Sequence, residues 1–265
     1  MRPNLGLLLA AVLAMTAGPL MAAELVIMNS GGLAAAFNAL KPRYEAMTGD
    51  RLTAVYGSSL GATPSAIPER LKHGDPADVL IMVRAALDGL AAKGEVIKAT
   101  EIDLARSPIT MAVRKGAPVP DISTVEKFKA VLLAARSVAY SDSASGIYIE
   151  NQMFKDLGIE DQMRGKSRMV PAEPVGLGVA RGDVEIGFQQ MSELLPIQGI
   201  TVVGPIPPPA QRITAFGAGV ATRSKNPDAA RRFIAFLTTP EAAAAIRRSG
   251  IEPVAQPAAA AKAVR

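Results

Sequence analysis

The chain has 265 residues, 49% of them hydrophobic, and 29 Lys and Arg stand against 24 Asp and Glu for a net charge of +5. The lack of cysteine excludes disulfides, thiol catalysis and thiolate metal sites, and one histidine, His73, argues against a zinc centre or a histidine-dependent triad. The basic residues are scattered and aromatics make up only 4%, which describes a solubilising surface and not a nucleic-acid footprint.

Residues 1–23 read as a secretory signal: Arg2 is the positive end, Leu5 to Met15 the apolar run, and Leu20-Met21-Ala22-Ala23 the small-residue cleavage region. Cleavage after Ala22 and cleavage after Ala23 both fit. The apolar run is short for a membrane span and no second one follows. The expectation is a periplasmic protein of about 240 mature residues without stable membrane insertion, enough chain for one large or two small domains.

Beyond the signal, strand-like and helix-like segments alternate, predicting an α/β fold with mainly parallel sheets. A strand at 24–29 leads to a helix from Leu33 to Met47 stopped by Gly49. A strand at 51–56, a helix from Pro64 to Lys72, a strand from Ala77 to Val83 and a helix from Ala85 to Lys93 follow. A long β-type run spans Ile102 to Val113. After it come a helix from Thr124 to Ala135, a strand from Ser137 to Tyr140 and a helix from Ser145 to Leu157. The next units are a strand at Ser167 to Val170, a helix from Pro174 to Arg181, and strands at Val184 to Phe188 and Ile200 to Val203. Pro205 to Pro209 cannot be central strand. A second long run, Ile213 to Ala221, precedes helices at Asp228 to Leu237 and Pro240 to Ser249. Two such runs predict a chain that crosses twice between lobes: residues 24–105 plus 215–255 form lobe one, 106–214 lobe two, and 256–265 a flexible Ala-rich tail. Ligands of open α/β sheets bind where strands end, so the cleft between the lobes is the expected site.

Two strand-to-helix junctions stand out. Met28-Asn29-Ser30-Gly31-Gly32 and Tyr56-Gly57-Ser58-Ser59-Leu60-Gly61 place Ser hydroxyls and backbone N–H groups at the positive end of a helix, an arrangement suited to a small anion. Simple helix capping by Ser30, Ser58 or Ser59 is the plainer alternative.

These junctions, the signal and Gly74-Asp75-Pro76-Ala77-Asp78-Val79 together resemble the periplasmic molybdate-binding proteins of the type II solute-binding fold, two lobes joined by two crossover strands. Ser141-Asp142-Ser143-Ala144-Ser145-Gly146, Glu173-Pro174-Val175-Gly176 and Gly187-Phe188 follow in the family's order, so the resemblance covers nearly the whole mature chain. It implies an oxyanion held by Ser30 with Gly31, by Ser58 or Ser59, and by lobe-two amides near Ser143 to Ser145 and at Val175. Where the family has a ligand-binding tyrosine this chain has Gln190, after Gln189, and the acidic position that follows is altered to Ser192-Glu193. The departure disfavours molybdate. The same segments are similar to a divergent branch that includes periplasmic aconitate isomerases, implying a polycarboxylate ligand and chemistry upon it.

Interconverting trans- and cis-aconitate is an allylic proton shift, which calls for carboxylate anchors, an acid/base group and stabilisation of dienolate-like charge, with no cofactor and no metal. Arg84 and Arg106 are candidate carboxylate anchors, with structural ion pairing as the alternative for each. Glu173, Asp142 and Tyr148 are the candidate bases, and the sequence does not choose among them. His73 lies in a polar turn. The second function class is a binding protein that delivers an oxyanion or small carboxylate to an ABC-type permease without catalysis.

Overall fold

The computed structural model describes residues 22–255. The segment expected to be a secretory signal, apart from Ala22 and Ala23, and the tail at 256–265 lie outside the described residues. None of the described helices is long and apolar enough to cross a membrane.

The first part of the chain alternates β1 (Glu24–Asn29), α1 (Gly31–Thr48), β2 (Arg51–Tyr56), α2 (Ile67–Lys72), β3 (Val79–Val83), α3 (Arg84–Ala92) and β4 (Ile102–Ser107). Then come β5 (Ile109–Arg114), α4 (Val125–Ala134), β6 (Val138–Ser141) and α5 (Ala144–Tyr148), which runs through a π turn at Ile149–Met153 into α6 (Phe154–Asp156). The second half holds α7 (Glu160–Met163), β7 (Ser167–Val170), α8 (Val175–Arg181), β8 (Ile186–Gln190), α9 (Met191–Leu194) and β9 (Ile200–Pro205). It closes with β10 (Thr214–Val220), α10 (Pro227–Leu237), α11 (Pro240–Arg248) and β11 (Glu252–Pro253).

Two sheets result, ordered β11-β4-β10-β3-β1-β2 and β7-β6-β8-β5-β9. The run expected at 102–113 divides at Pro108, which has no N–H to continue a ladder, so β4 stays in the first sheet and β5 enters the second. The chain returns between β9 and β10. The Gln211 side chain ties the two crossings together: its Oε1 accepts from the Ile109 N–H, and its Nε2 donates to the carbonyls of Ile109 and Ile206.

The expectation of mainly parallel sheets needs correction. β1 is parallel to β2 and β3, and β6 to β7 and β8, but β10 runs antiparallel to β3 and β4, and β5 to β8 and β9. The reversal falls on the crossing strands, which enter each sheet from the other one. β9 is an edge strand, which tolerates its terminal Pro205. The short helices α7 and α9 and the two-residue β11 were not read from sequence, since segments of two to four residues carry no periodicity.

α1 shows how the first core is made. Leu33, Ala36, Phe37, Leu40 and Tyr44 recur at helical spacing and are buried, and Gly49 ends the helix with φ 79°. Their face meets α10, with the Tyr44 ring 4.9 Å from that of Phe233 and 5.2 Å from that of Phe236. The second core gathers Phe128, Phe188, Tyr140 and Phe154 under β5, β6 and β8.

One buried acid fastens the start of the described chain. Asp50, 1% exposed, accepts from the Ala23 N–H at 2.8 Å and the Tyr44 hydroxyl at 3.1 Å, and Arg232 Nη2 lies 3.4 Å away. Burial, then the Asp50 charge, holds the Tyr44 phenol well above its ordinary value, so it stays a donor. Asp50→Ala leaves all three donors without their acceptor and is expected to lower stability by about 2–4 kcal/mol. Urea unfolding checks this, and Tyr44→Phe should cost about 1 kcal/mol by the same measurement.

Candidate functional site

A cavity of about 300 Å³ lies between the two sheets, at the C-terminal ends of β1, β2, β3, β6, β7 and β8. Its first wall is the pair of Ser-Gly junctions. Ser30 precedes α1 in extended conformation and makes no side-chain cap hydrogen bond, so its hydroxyl is not spent on the helix. The first N–H groups of α1, at Gly31 and Gly32, have no intrahelical acceptor. Ser59, 1% exposed, accepts from the Val83 N–H at 2.9 Å, which fixes the side chain and leaves its own proton for a ligand. Ser58 Oγ is turned back on Leu60, donating to its carbonyl and accepting from its N–H. Tyr56 and Ser65 complete this wall.

The second wall holds Ser141, Asp142, Ser143, Ala144, Ala172, Glu173, Pro174, Gln189, Gln190 and Glu193. Ser141 and Ser143 hydroxyls are 2.7 Å apart, and each is 3.3 Å from that of Ser145. A Cβ on Gly146 would sit 1.6 Å from the Ser141 carbonyl, so only glycine lets α5 start this close to the end of β6. The Asp142 carboxylate accepts from the Ala172 N–H at 3.2 Å, across a turn in which Ala172 has φ 56°. Glu173 Oε1 lies 2.6 Å from Arg181 Nη2.

Glu193 is the unusual group. It sits in the first turn of α9, and the adjacent Ser192 hydroxyl donates to the Gly32 carbonyl at 2.7 Å, pinning α9 to the start of α1. A Cβ on Gly31 would lie 2.1 Å from Glu193 Oε1, so the missing side chain there is the space the carboxyl occupies. Burial, with a smaller contribution from Asp142, pushes the Glu193 carboxyl up to about 7, against hydrogen bonds from the Gln189 side chain and the Gln190 backbone. A second contact orients Gln189 as a donor. Its Oε1 accepts from the Val175 N–H at 2.9 Å, which turns its NH₂ group toward Glu193. Gln190 Nε2 donates to Thr214 Oγ1 at 2.9 Å, and its buried Oε1 has no partner among the described residues. Among those residues no lysine, arginine or histidine lines the cavity.

A family model described as bacterial extracellular solute-binding protein matches residues 25–252. The chain belongs to this family. Aconitate isomerase of a Pseudomonas species is 45% identical over 262 residues, covering 97% of this chain and 100% of that protein. The periplasmic molybdate-binding protein of Azotobacter vinelandii superposes with a TM-score of 0.71 at 19% identity, over 88% of this chain and 100% of that one. The sulfate-binding protein SubI of Mycobacterium tuberculosis gives 0.69 at 18% identity, over 90% and 89%. These two structures share the two-lobe α/β fold.

In this solute-binding protein the cavity collects Ser30, Gly31, Ser58, Ser59, Asp142, Ser143, Glu173, Gln189 and Gln190 from the residues expected by sequence. Five others lie elsewhere. Arg84 is turned to Asp88, Glu101 and Asp103, at 2.8, 2.6 and 3.1 Å, and these acids raise its already high pKa. Arg106 is exposed beside Arg247 and Glu252, on another face. Tyr148 donates to the Ala210 carbonyl at 3.0 Å and carries Arg212 over its ring, in a second groove that Ser145 also lines. The Val175 amide is occupied by Gln189. His73 is exposed, with Nδ1 2.7 Å from the Glu69 carbonyl at the end of α2. Glu193, Tyr56, Ser65 and Ser141 were missed as site residues. The alteration to Ser192-Glu193 was the one sequence signal for the first of them.

A carboxyl whose folded value is raised binds more protons folded than unfolded, so its ionisation subtracts stability as pH rises from the ordinary carboxylate range through about 7. Across that window this group should remove roughly 1–3 kcal/mol of stability. Glu193→Gln should abolish that part of the decline, measured as urea midpoints at pH 5 and pH 8.

Proposed function

We propose that this chain is an aconitate isomerase, interconverting trans- and cis-aconitate by an allylic proton shift in the cleft between the lobes. The observation that carries the reading is the 45% identity to the Pseudomonas aconitate isomerase along 97% of the chain. The cleft suits the chemistry. Serine hydroxyls and the amides at the start of α1 offer anchors for carboxylates and for the negative charge that spreads over the allyl frame once a proton leaves. Carboxyl groups face the same space.

Lobe one in this reading is 24–105 with 215–255 and lobe two is 106–214, the cleft opening and closing around Pro108 and the return segment. The location is the periplasm. Its mature chain would begin at Ala23, because the Ala23 nitrogen, freed as an ammonium by cleavage after Ala22, stays on buried Asp50. Intact-mass measurement of protein recovered from the periplasm should give that start.

The second reading, a receptor that hands a small anion to an ABC-type permease, is favoured by the family itself. One experiment separates them: incubation with trans-aconitate while cis-aconitate is followed. Turnover is expected. Tight molybdate or carboxylate binding without turnover would instead establish the receptor. Replacing Ser30 and Ser59 together by Ala should weaken trans-aconitate binding by about 1.5–3 kcal/mol per lost charge-assisted hydrogen bond, measured by calorimetry.

A further inference from the structure

We propose that Glu193 carries the proton of the isomerisation, taking it from the methylene carbon of one aconitate isomer and returning it to the far carbon of the allyl unit. The inference rests on the isomerase reading and adds the group that performs it.

The step balances without any co-reactant. The C–H bond at the methylene breaks, its electron pair enters the three-carbon unit and the carboxylate beside it, and the Glu193 carboxylate gains an O–H bond. The double bond then lies one carbon along. A new C–H bond forms at the opposite end, and Glu193 is again a carboxylate. Because one group serves as base and then as acid, it must be stable in both states at the working pH.

Four titratable groups line the cavity among the described residues, and Glu193 differs from the other three in its partners. Glu173, from the loop before α8, is held by Arg181 at 2.6 Å. Asp142, from the end of β6, accepts from the Ala172 N–H and supports a turn with a left-handed alanine. Tyr56, at the end of β2, donates its hydroxyl to Asn38 Oδ1 at 2.5 Å, and partial burial, opposed by that hydrogen bond, holds its phenol above its ordinary value. Glu193 has no cationic partner among the described residues; its hydrogen bonds come from neutral amides, Gln189 and the Gln190 backbone. Such donors steady a carboxylate without tying up its charge.

Position agrees with the role. The carboxyl lies against Gly31 at the start of α1, in the cavity that Ser30 also lines, where the negative charge of a deprotonated substrate would be held. The Ser192–Gly32 hydrogen bond fixes α9, and the Val175–Gln189 hydrogen bond fixes the amide that faces the carboxyl. Gln189 is in this scheme a positioning residue.

The test compares wild type with Glu193→Gln and Gln189→Leu, using trans-aconitate. Glu193→Gln should lower kcat at least 100-fold while trans-aconitate still binds within about threefold of the wild-type Kd, a loss in the range expected for a missing acid/base group. Gln189→Leu should lower kcat and also move the pH of half-maximal kcat upward, since it removes a hydrogen bond to the ionised carboxyl, an effect on the pH profile that a merely structural defect would not produce. Retention of more than a tenth of wild-type kcat by Glu193→Gln, or an unmoved pH profile in Gln189→Leu, overturns the assignment alone. No turnover by the wild type overturns the isomerase reading and this assignment with it.

Discussion

Everything in the cleft depends on one constraint: an acidic side chain is seated where the fold gathers donors for anions. The start of α1 and the serines beside it favour negative charge, yet Glu193 is pressed against that same helix start through the gap left by Gly31. Burial opposes its ionisation and amides support it, so neither state wins decisively near neutrality. A salt bridge would have settled the contest in favour of the carboxylate. Among the described residues no cation lines the cavity, and Glu193 is governed by desolvation and hydrogen bonds.

The architecture makes that seating possible. α9 follows β8 in the second sheet, but it packs on α1 of the first, with Ser192 bonded to Gly32 and Leu195 close to Gly250. Glu193 therefore comes from the second-sheet side of the cleft and lies against Gly31 on the first. The serines of the two junctions follow β1 and β2 of the first sheet, while Ser141, Ser143 and Gln189 stand at the ends of β6 and β8 of the second, so a ligand that touched both sets would be gripped across the boundary. The structures that share this fold include molybdate- and sulfate-binding proteins at 19% and 18% identity, so the frame persists while most of the sequence changes.

Much of the fold was legible because the signals were local. The spacing of Leu33, Phe37, Leu40 and Tyr44, the stop at Gly49, and the two β-type runs interrupted by Pro108 or preceded by Pro205 to Pro209 are all readable within a dozen residues. The cleft was legible where strand-to-helix junctions announced it, at Ser30 and Ser58-Ser59. What could not be read were interactions between distant parts. The acids that hold Arg84 include Glu101 and Asp103, 17 and 19 residues away on β4 and its approach, and nothing near Arg84 reveals them. The environment of Glu193 is set by Gly31 and pinned by a bond spanning 160 residues, and its four-residue helix has no period to betray which side faces inward.

The Gln211 side chain gives the hinge a particular character. It grips Ile109, the first residue after one crossing, and Ile206, the first residue of the other connection, within a single set of three hydrogen bonds. Neither connection can bend without carrying its neighbour. The two connections are thereby coupled: a distortion at either one reaches the other through the same amide group.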